Sequence, residues 1–289
     1  MVRVLIVNPF ASGVTERALA AVQATLPSGT ETVLTQARGD ATEIAREWSE
    51  RAEAIYVFSG DGTYNEVVNG VTRDVPVGFV PGGGTSVLPR ALGLPRNPQR
   101  AAERIAHGRP RRISLGRLNG RRFTFNAGIG FDAELVRRID ELGRRDDGKR
   151  PGDVRFGWTV VRTLAAHRLR YDPALEIEGL GRAAFALVAN CSPYTYAGRL
   201  GLRFVPDASF EGGLDVVAPV AVRPRAIPRL ASQALRGRPS RRDVLLGHDL
   251  DRILIRCDTP QPVQVDGEDL GDVVEVEIIA ERDALTVLT

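Results

Sequence analysis

The sequence predicts two fold classes in one chain: a Rossmann-like, parallel-sheet α/β domain over residues 1–112 and a mostly antiparallel, all-β domain over 113–289. Two patterns carry that expectation. In the first part, short β-branched runs alternate with longer periodic segments, which is how a parallel sheet covered by helices is written. Further on, strand-like runs follow one another across turns, starting from a hairpin signal at Asn119-Gly120.

In order, the first part reads as "RVLIVNP", "TERALAAVQATL", "ETVLT", "ATEIAREWSERA", "AIYVFSG", "YNEVVNGVT", "VPVGFVPGG", "SVLPRALGL" and "PQRAAERIAHG". Its strands are nearly continuous apolar runs, as expected when helices bury both sheet faces. The second part offers the strands "ALEIEG", "AAFALVANC", "GLDVVAP", "RILIRC", "QPVQVDG", "VVEVEIIAE" and "ALTVLT", the last of which could return to the first domain. Two helices, "FDAELVRRIDELGRR" and "GWTVVRTLAAHRLR", interrupt it, with "RRDDGKRPGD" (144–153) expected to be a mobile loop.

With 289 residues, 43% hydrophobic and 26% charged, the chain has the composition of a soluble globular protein long enough for two cores. No run reaches the eighteen or so apolar residues of a membrane-spanning helix, and the N-terminus lacks a signal-peptide layout, which predicts a cytoplasmic protein. Cys191 and Cys257 form no metal-binding spacing and read as core thiols. The sequence pI near 9.2 reflects a formal excess of only three charges. One stretch, 222–242, concentrates seven arginines without an acid and is partly helical in pattern. Such a segment suits an anionic surface, or equally a solvated face paired with acids elsewhere.

Ligands of open parallel sheets sit beyond the carboxyl ends of the strands, where loops entering helices offer backbone N–H groups to anions. Three loops fall at that edge: "NPFASG" (8–13), "SGDGTYNE" (59–66) and "PGGGTS" (81–86). Gly60 and Gly62 permit close approach of a phosphate, and Thr63 is placed to cap the following helix. Asp61 repels a bare polyphosphate, so it implies a metal or a proton transfer, unless it is simply a helix-capping turn residue. The P-loop pattern G-x-x-x-x-G-K-[ST] is absent. "GIGFDA" (128–133) fits a dinucleotide fingerprint, but the acid expected about twenty residues on is misplaced, which argues against NAD binding there.

Taken together, "SGDGTYNEVVNG" followed by "PGGGTSVLPRALGLP" resembles the catalytic-domain signature of the diacylglycerol kinase family, whose bacterial soluble lipid kinases are related to sphingosine and ceramide kinases and distantly to NAD kinases. "NPFASG", "NAGIGFDA" (126–133) and "VQVDGE" (263–268) match further segments in the same order. The resemblance implies an ATP-dependent lipid kinase with a nucleotide cleft between an α/β domain and a β-sandwich. Asn8, Ser12 and Gly13 would help hold the nucleotide, Gly60, Asp61, Gly62 and Thr63 would surround its phosphates, and Gly83, Gly84, Thr85 and Ser86 would close the other side. Asp266 falls on the general base, a role that some relatives give to the residue matching Asp61. Glu268 joins them as a catalytic carboxylate. Asp61, Asp132 and Glu268 would lie near Mg²⁺.

The residues alone allow Asp266 to be an ordinary Asp-Gly hairpin turn. Departures from the family pattern include Ser59 for a glycine, Ser86 for a common asparagine, Val87 and Pro89 in the second glycine loop, and Glu211 for an aspartate near a structural metal site. The implied partners are ATP and a diacylglycerol-like or sphingoid-like lipid at the membrane surface, with peripheral membrane association, a homodimer, and no nucleic acid. Apolar surface for the lipid is expected around "SPYTYAG" (192–198) and neighbouring helices. The competing readings are a soluble kinase for NAD or another small alcohol, and a non-catalytic lipid- or nucleotide-binding regulator.

Overall fold

A computed structural model describes residues 2–145, 153–197, 200–205, 207–236, 240 and 242–289. Two compact units emerge: residues 1–115 with 282–289, and residues 116–281. The loop expected over 144–153 lies mostly outside the described residues.

The first unit begins with β1 (Val2–Val7), α1 (Glu16–Thr25), β2 (Thr30–Leu34), α2 (Asp40–Ser49) and β3 (Ala52–Ser59). It continues through α3 (Asp61–Gly70), β4 (Val77–Pro81), α4 (Val87–Ala91), α5 (Pro98–Ala106) and the start of β5 (Pro110–Leu118). The strands are parallel in the spatial order β2-β1-β3-β4, with Leu5 opposite Thr32 on one side and Tyr56 on the other. Both faces of this sheet are covered, so Leu5, Tyr56, Phe58 and Val80 bury against Val22 of α1 and Ile105 of α5. Helix starts follow local chemistry: the Thr15 hydroxyl accepts from Ala18 N, and Asn97 accepts from Arg100 N just ahead of Pro98. The chain's last residues return to this sheet, where Val287 pairs parallel with Val77.

The second unit contains β6 (Arg121–Phe123), β7 (Asn126–Ile129), α6 (Phe131–Arg145), α7 (Asp153–Ala166), β8 (Leu175–Ile177), β9 (Gly181–Ala183), β10 (Ala186–Ala189), β11 (Thr195–Ala197), β12 (Leu200–Leu202) and β13 (Leu214–Pro219). It closes with α8 (Ile227–Arg236), β14 (Val244–Leu250), β15 (Arg252–Val265) and most of β16 (Glu268–Leu288). The main antiparallel order is β14-β13-β10-β7-β15-β16. The alternation along β10 and β13 divides their side chains between two cores. Ala186, Val188 and Val216 enter one core, while Leu187, Ala189 and Val217 enter a second on the opposite face, under α6, α7 and α8.

The expected "RILIRC" and "QPVQVDG" are one strand, β15, which passes Pro260 and Pro262 through register shifts between Arg256 and Gln261 and between Pro262 and Gln264. Proline punctuates a strand, and a bulge lets the ladder continue past it. Strand β14 has no counterpart among the expected strands, because Gly247-His248-Asp249 interrupts its apolar pattern. Cys191 is a buried core thiol as expected, whereas Cys257 is only partly buried against the core; burial raises the pKa of both, that of Cys257 to about 11.

Gly70 ends α3 against α2, and a Cβ there would lie 2.2 Å from the Thr42 carbonyl oxygen. Gly70→Ala is expected to cost about 1–3 kcal/mol through overpacking, read as a lower urea midpoint. His248 Nδ1 sits 2.8–2.9 Å from both oxygens of buried Asp215, and that bond and charge raise the imidazole pKa. The pair therefore contributes fully below the ordinary histidine value and is lost as pH rises through the raised one. Urea midpoints should fall from mildly acidic to alkaline pH, with a shallower fall in His248→Ala.

Candidate active site

In the first unit, β1 and β3 are spatial neighbours whose connections leave in opposite directions, so the loops after them open side by side at the carboxyl edge. The loop after β4 joins them through backbone bonds: Gly13 N donates to Gly82 O (2.7 Å), and Gly82 N to Ser59 O (2.6 Å). Such contact needs residues without Cβ atoms. A Cβ on Gly13 would lie 2.8 Å from Gly82 O, and one on Gly83 would lie 2.8 Å from the Gly60 Cα. Gly62 and Gly84 differ, since a Cβ at either would meet nothing within 4 Å. Packing therefore does not demand glycine at these two positions, and open space adjoins the backbone there.

Side chains reinforce the junction. Asn8 accepts from Phe10 N (2.9 Å) through Oδ1 and donates from Nδ2 to Thr63 Oγ1 (3.3 Å), which also receives the Ser59 hydroxyl (2.7 Å). Thr63 thus lies inside α3 and ties two loops together; it is not the helix cap expected from its position. Asp61 is the first residue of α3, yet its carboxylate caps another helix, accepting from Val87 N (3.0 Å) and Leu88 N (3.2 Å) of α4. Ser86 adopts a left-handed φ of 48° and closes on Gly83, whose N–H and carbonyl each lie 3.1 Å from its hydroxyl. Buried Tyr64 places its hydroxyl 2.6 Å from Ser59 O and 2.7 Å from Val80 O, and burial with the nearby Asp61 charge raises its pKa. Tyr64 stands in the quoted motif, but its role as the bolt between β3 and β4 required the fold. Ser12 is exposed, as is Phe10 beside it.

In the second unit, Asp266 and Gly267 form the two-residue turn between β15 and β16, both at positive φ (48° and 78°). The Asp266 carboxylate is buried and accepts four bonds, from Thr124 N (2.7 Å), Thr124 Oγ1 (2.9 Å), Phe125 N (2.9 Å) and Asn126 N (3.2 Å). Arg121 holds Glu268 (2.6 Å), and Arg137 of α6 forks onto Asp269 (2.8 and 3.0 Å), which fixes the same hairpin. Asp132 accepts from Tyr194 Oη (2.9 Å) and Gln264 Nε2 (2.7 Å), and burial raises its pKa. Gln264 donates to Asn126 Oδ1 (3.0 Å) and accepts from Gly267 N (2.8 Å), so one polar chain runs from Asp132 to the backbone that cradles Asp266.

Asp132 and Tyr194 also border a cavity of about 350 Å³ on the helix-covered face of the sheet. Its walls are apolar side chains such as Leu135, Leu164, Phe185, Val217 and Leu230. Sequence pattern alone misses it, since hydrophobic residues lining a void read like those filling a core. Among the described residues, no group of three or more His, Cys, Asp or Glu side chains forms a metal cage. The carboxylates expected near Mg²⁺ accept from protein donors in this structure: Asp61 from Val87 N, Glu268 from Arg121 and Asp132 from Gln264.

Residues 3–118 match the diacylglycerol kinase catalytic domain, and residues 126–289 match the YegS C-terminal NAD kinase beta sandwich-like domain. The chain is 28% identical over 247 residues to the diacylglycerol kinase of Bacillus subtilis, covering 83% of this chain and 79% of the relative. It is 38% identical over 110 residues to the diacylglycerol kinase of Staphylococcus carnosus, covering 37% and 36%. The crystal structure of a diacylglycerol kinase from Bacillus anthracis superposes with a TM-score of 0.72 at 21% identity, covering 99% of this chain and 96% of that one. An α/β unit with paired glycine loops and an NAD kinase-like sandwich define a lipid kinase. The chain belongs to the diacylglycerol kinase catalytic-domain family.

Removing the Asp266 carboxylate orphans three buried N–H groups and one hydroxyl. At about 1–3 kcal/mol for each unsatisfied donor, Asp266→Ala should destabilise the protein by roughly 3 kcal/mol or more, seen as a large drop in urea midpoint.

Proposed function

We propose that this protein transfers the γ-phosphate of ATP to a hydroxyl group of a diacylglycerol-like or sphingoid-like lipid. The observation that carries the lipid reading is the cavity of about 350 Å³, whose apolar walls end at Asp132 and Tyr194. A soluble alcohol such as NAD gains nothing from such walls, whereas an acyl chain gains about 0.8 kcal/mol per buried CH₂.

In this reading the triphosphate lies on the N–H groups of the loops carrying Gly60, Gly62, Thr63 and Gly83, Gly84, Thr85, Ser86, with Asn8, Ser12 and Gly13 beside them. The open space at Gly62 and Gly84 is where phosphate oxygens approach the backbone. Asp61, Asp132 and Glu268 are the carboxylates that would hold a Mg²⁺ accompanying ATP, which would supply charge neutralisation of the phosphates. The lipid hydroxyl attacks the γ-phosphorus, a new O–P bond forms as the β–γ bridging bond breaks, and ADP departs with the electron pair. The hydroxyl proton passes to a carboxylate, Asp266 or Asp61, with Glu268 contributing charge beside Asp266. Asp266 must release one of its four donors to accept that proton.

The test is labelled ATP incubated with the protein and a panel of diacylglycerol, sphingosine, NAD and glycerol. Label is expected in a lipid and absent from the soluble alcohols; label only in NAD would overturn the proposal. Asp61→Asn and Asp266→Asn, compared at matched folded fraction, should identify the base by a loss of about 10²–10⁴ in rate. Gly62→Ala separates phosphate contact from packing. Alanine is favoured over glycine in a helix by about 0.5–1 kcal/mol, so the melting temperature should hold or rise. Loss of one charge-assisted hydrogen bond should nonetheless weaken ATP binding about tenfold or more in calorimetry.

A further inference from the structure

Two of the three helices that wall the cavity, α7 and α8, carry outward faces of unusual composition. Leu164 of α7 and Ile227, Leu230 and Gln233 of α8 point into the cavity. On the outside of α7, Trp158 is 63% exposed, and Arg162, one turn later on the same helical face, is exposed as well. Around α8, Arg225 and Arg236 are exposed at its two ends. Arg162, Arg225 and Arg236 form no ion pair with a described residue, whereas Arg223 is held by Asp172 and Arg229 by Asp243. Residues 222–242 contain no acid to neutralise the unpaired cations.

An exposed tryptophan loses packing without gaining hydration. Its amphipathic ring suits the headgroup layer of a bilayer, and exposed arginines on helices that cover the same sheet face suit anionic lipid. Nucleic acid would satisfy the arginines, yet it gives no reason for an apolar cavity directly behind them. We propose that the outer faces of α7 and α8, marked by Trp158, Arg162, Arg225 and Arg236, dock this protein on an anionic lipid bilayer, so that the cavity's helical wall meets the membrane from which it draws its lipid. The cavity's role here rests on the lipid-kinase reading above; the docking surface does not.

Co-sedimentation with phosphatidylcholine vesicles, with and without phosphatidylglycerol, tests the proposal in the full chain. The wild type should bind the anionic vesicles and release them in high salt. Each basic residue near a charged surface is worth about fivefold in partitioning, so R162Q/R225Q/R236Q should bind about 100-fold more weakly. Trp158→Ala should also weaken binding, with the salt dependence retained. None of these side chains lines the cavity, so both variants should keep the wild-type melting temperature and phosphorylate a water-soluble short-chain diacylglycerol at the wild-type rate. Vesicle binding that is absent in the wild type, indifferent to phosphatidylglycerol, or unchanged by both variants would overturn the proposal. If no lipid is phosphorylated under any condition, the kinase reading fails while the vesicle result still decides this one.

Discussion

The Asp61 carboxylate, seated on the amides of Val87 and Leu88, is the contact on which the first unit's site depends. It is a buried negative charge, tolerable because a neighbouring helix start supplies N–H groups with a positive dipole. The same bonds fix the loop after β4 against the loop after β3. With Gly83 held close to Gly60 and Gly13 bonded to Gly82, three separate stretches of chain become one rigid rim. Tyr64, bolted between Ser59 and Val80, sets the spacing of the strands from which two of those loops emerge.

The second unit solves a parallel problem with Asp266. A tight turn at positive φ puts the carboxylate where three successive amides, those of Thr124, Phe125 and Asn126, converge on it. From that cradle a chain of hydrogen bonds through Asn126 and Gln264 reaches Asp132 at the border of the cavity. A buried carboxylate at one end and an apolar cavity at the other are thus joined through one hydrogen-bonded chain. The sheet makes this feasible because β10 and, apart from Asp215, β13 are apolar on both faces, one face filled by side chains and the other roofed by helices with space left over.

That space is the feature of the second unit to which sequence is blind. Leu187 and Val188 are chemically interchangeable in the pattern, although one faces the helix-covered core that hollows into the cavity and the other a filled core. Hydrophobicity records removal from water; it does not record whether a neighbour fills the volume.

Local chemistry in the sequence was enough for the parallel-sheet order of elements, the glycine loops at its carboxyl edge and the Asp-Gly hairpin, because each depends on residues adjacent in the chain. Proline at 260 and 262 misled the reading of β15, where sheet neighbours carry the ladder past a local break. The partners of Asp61, Asp266 and Asp132 lie 26, 142 and 132 residues away along the chain. Only tertiary structure decides such pairings, since a carboxylate's partner is set by which backbone amides the packed core brings within 3 Å or so, and no periodicity encodes that distance.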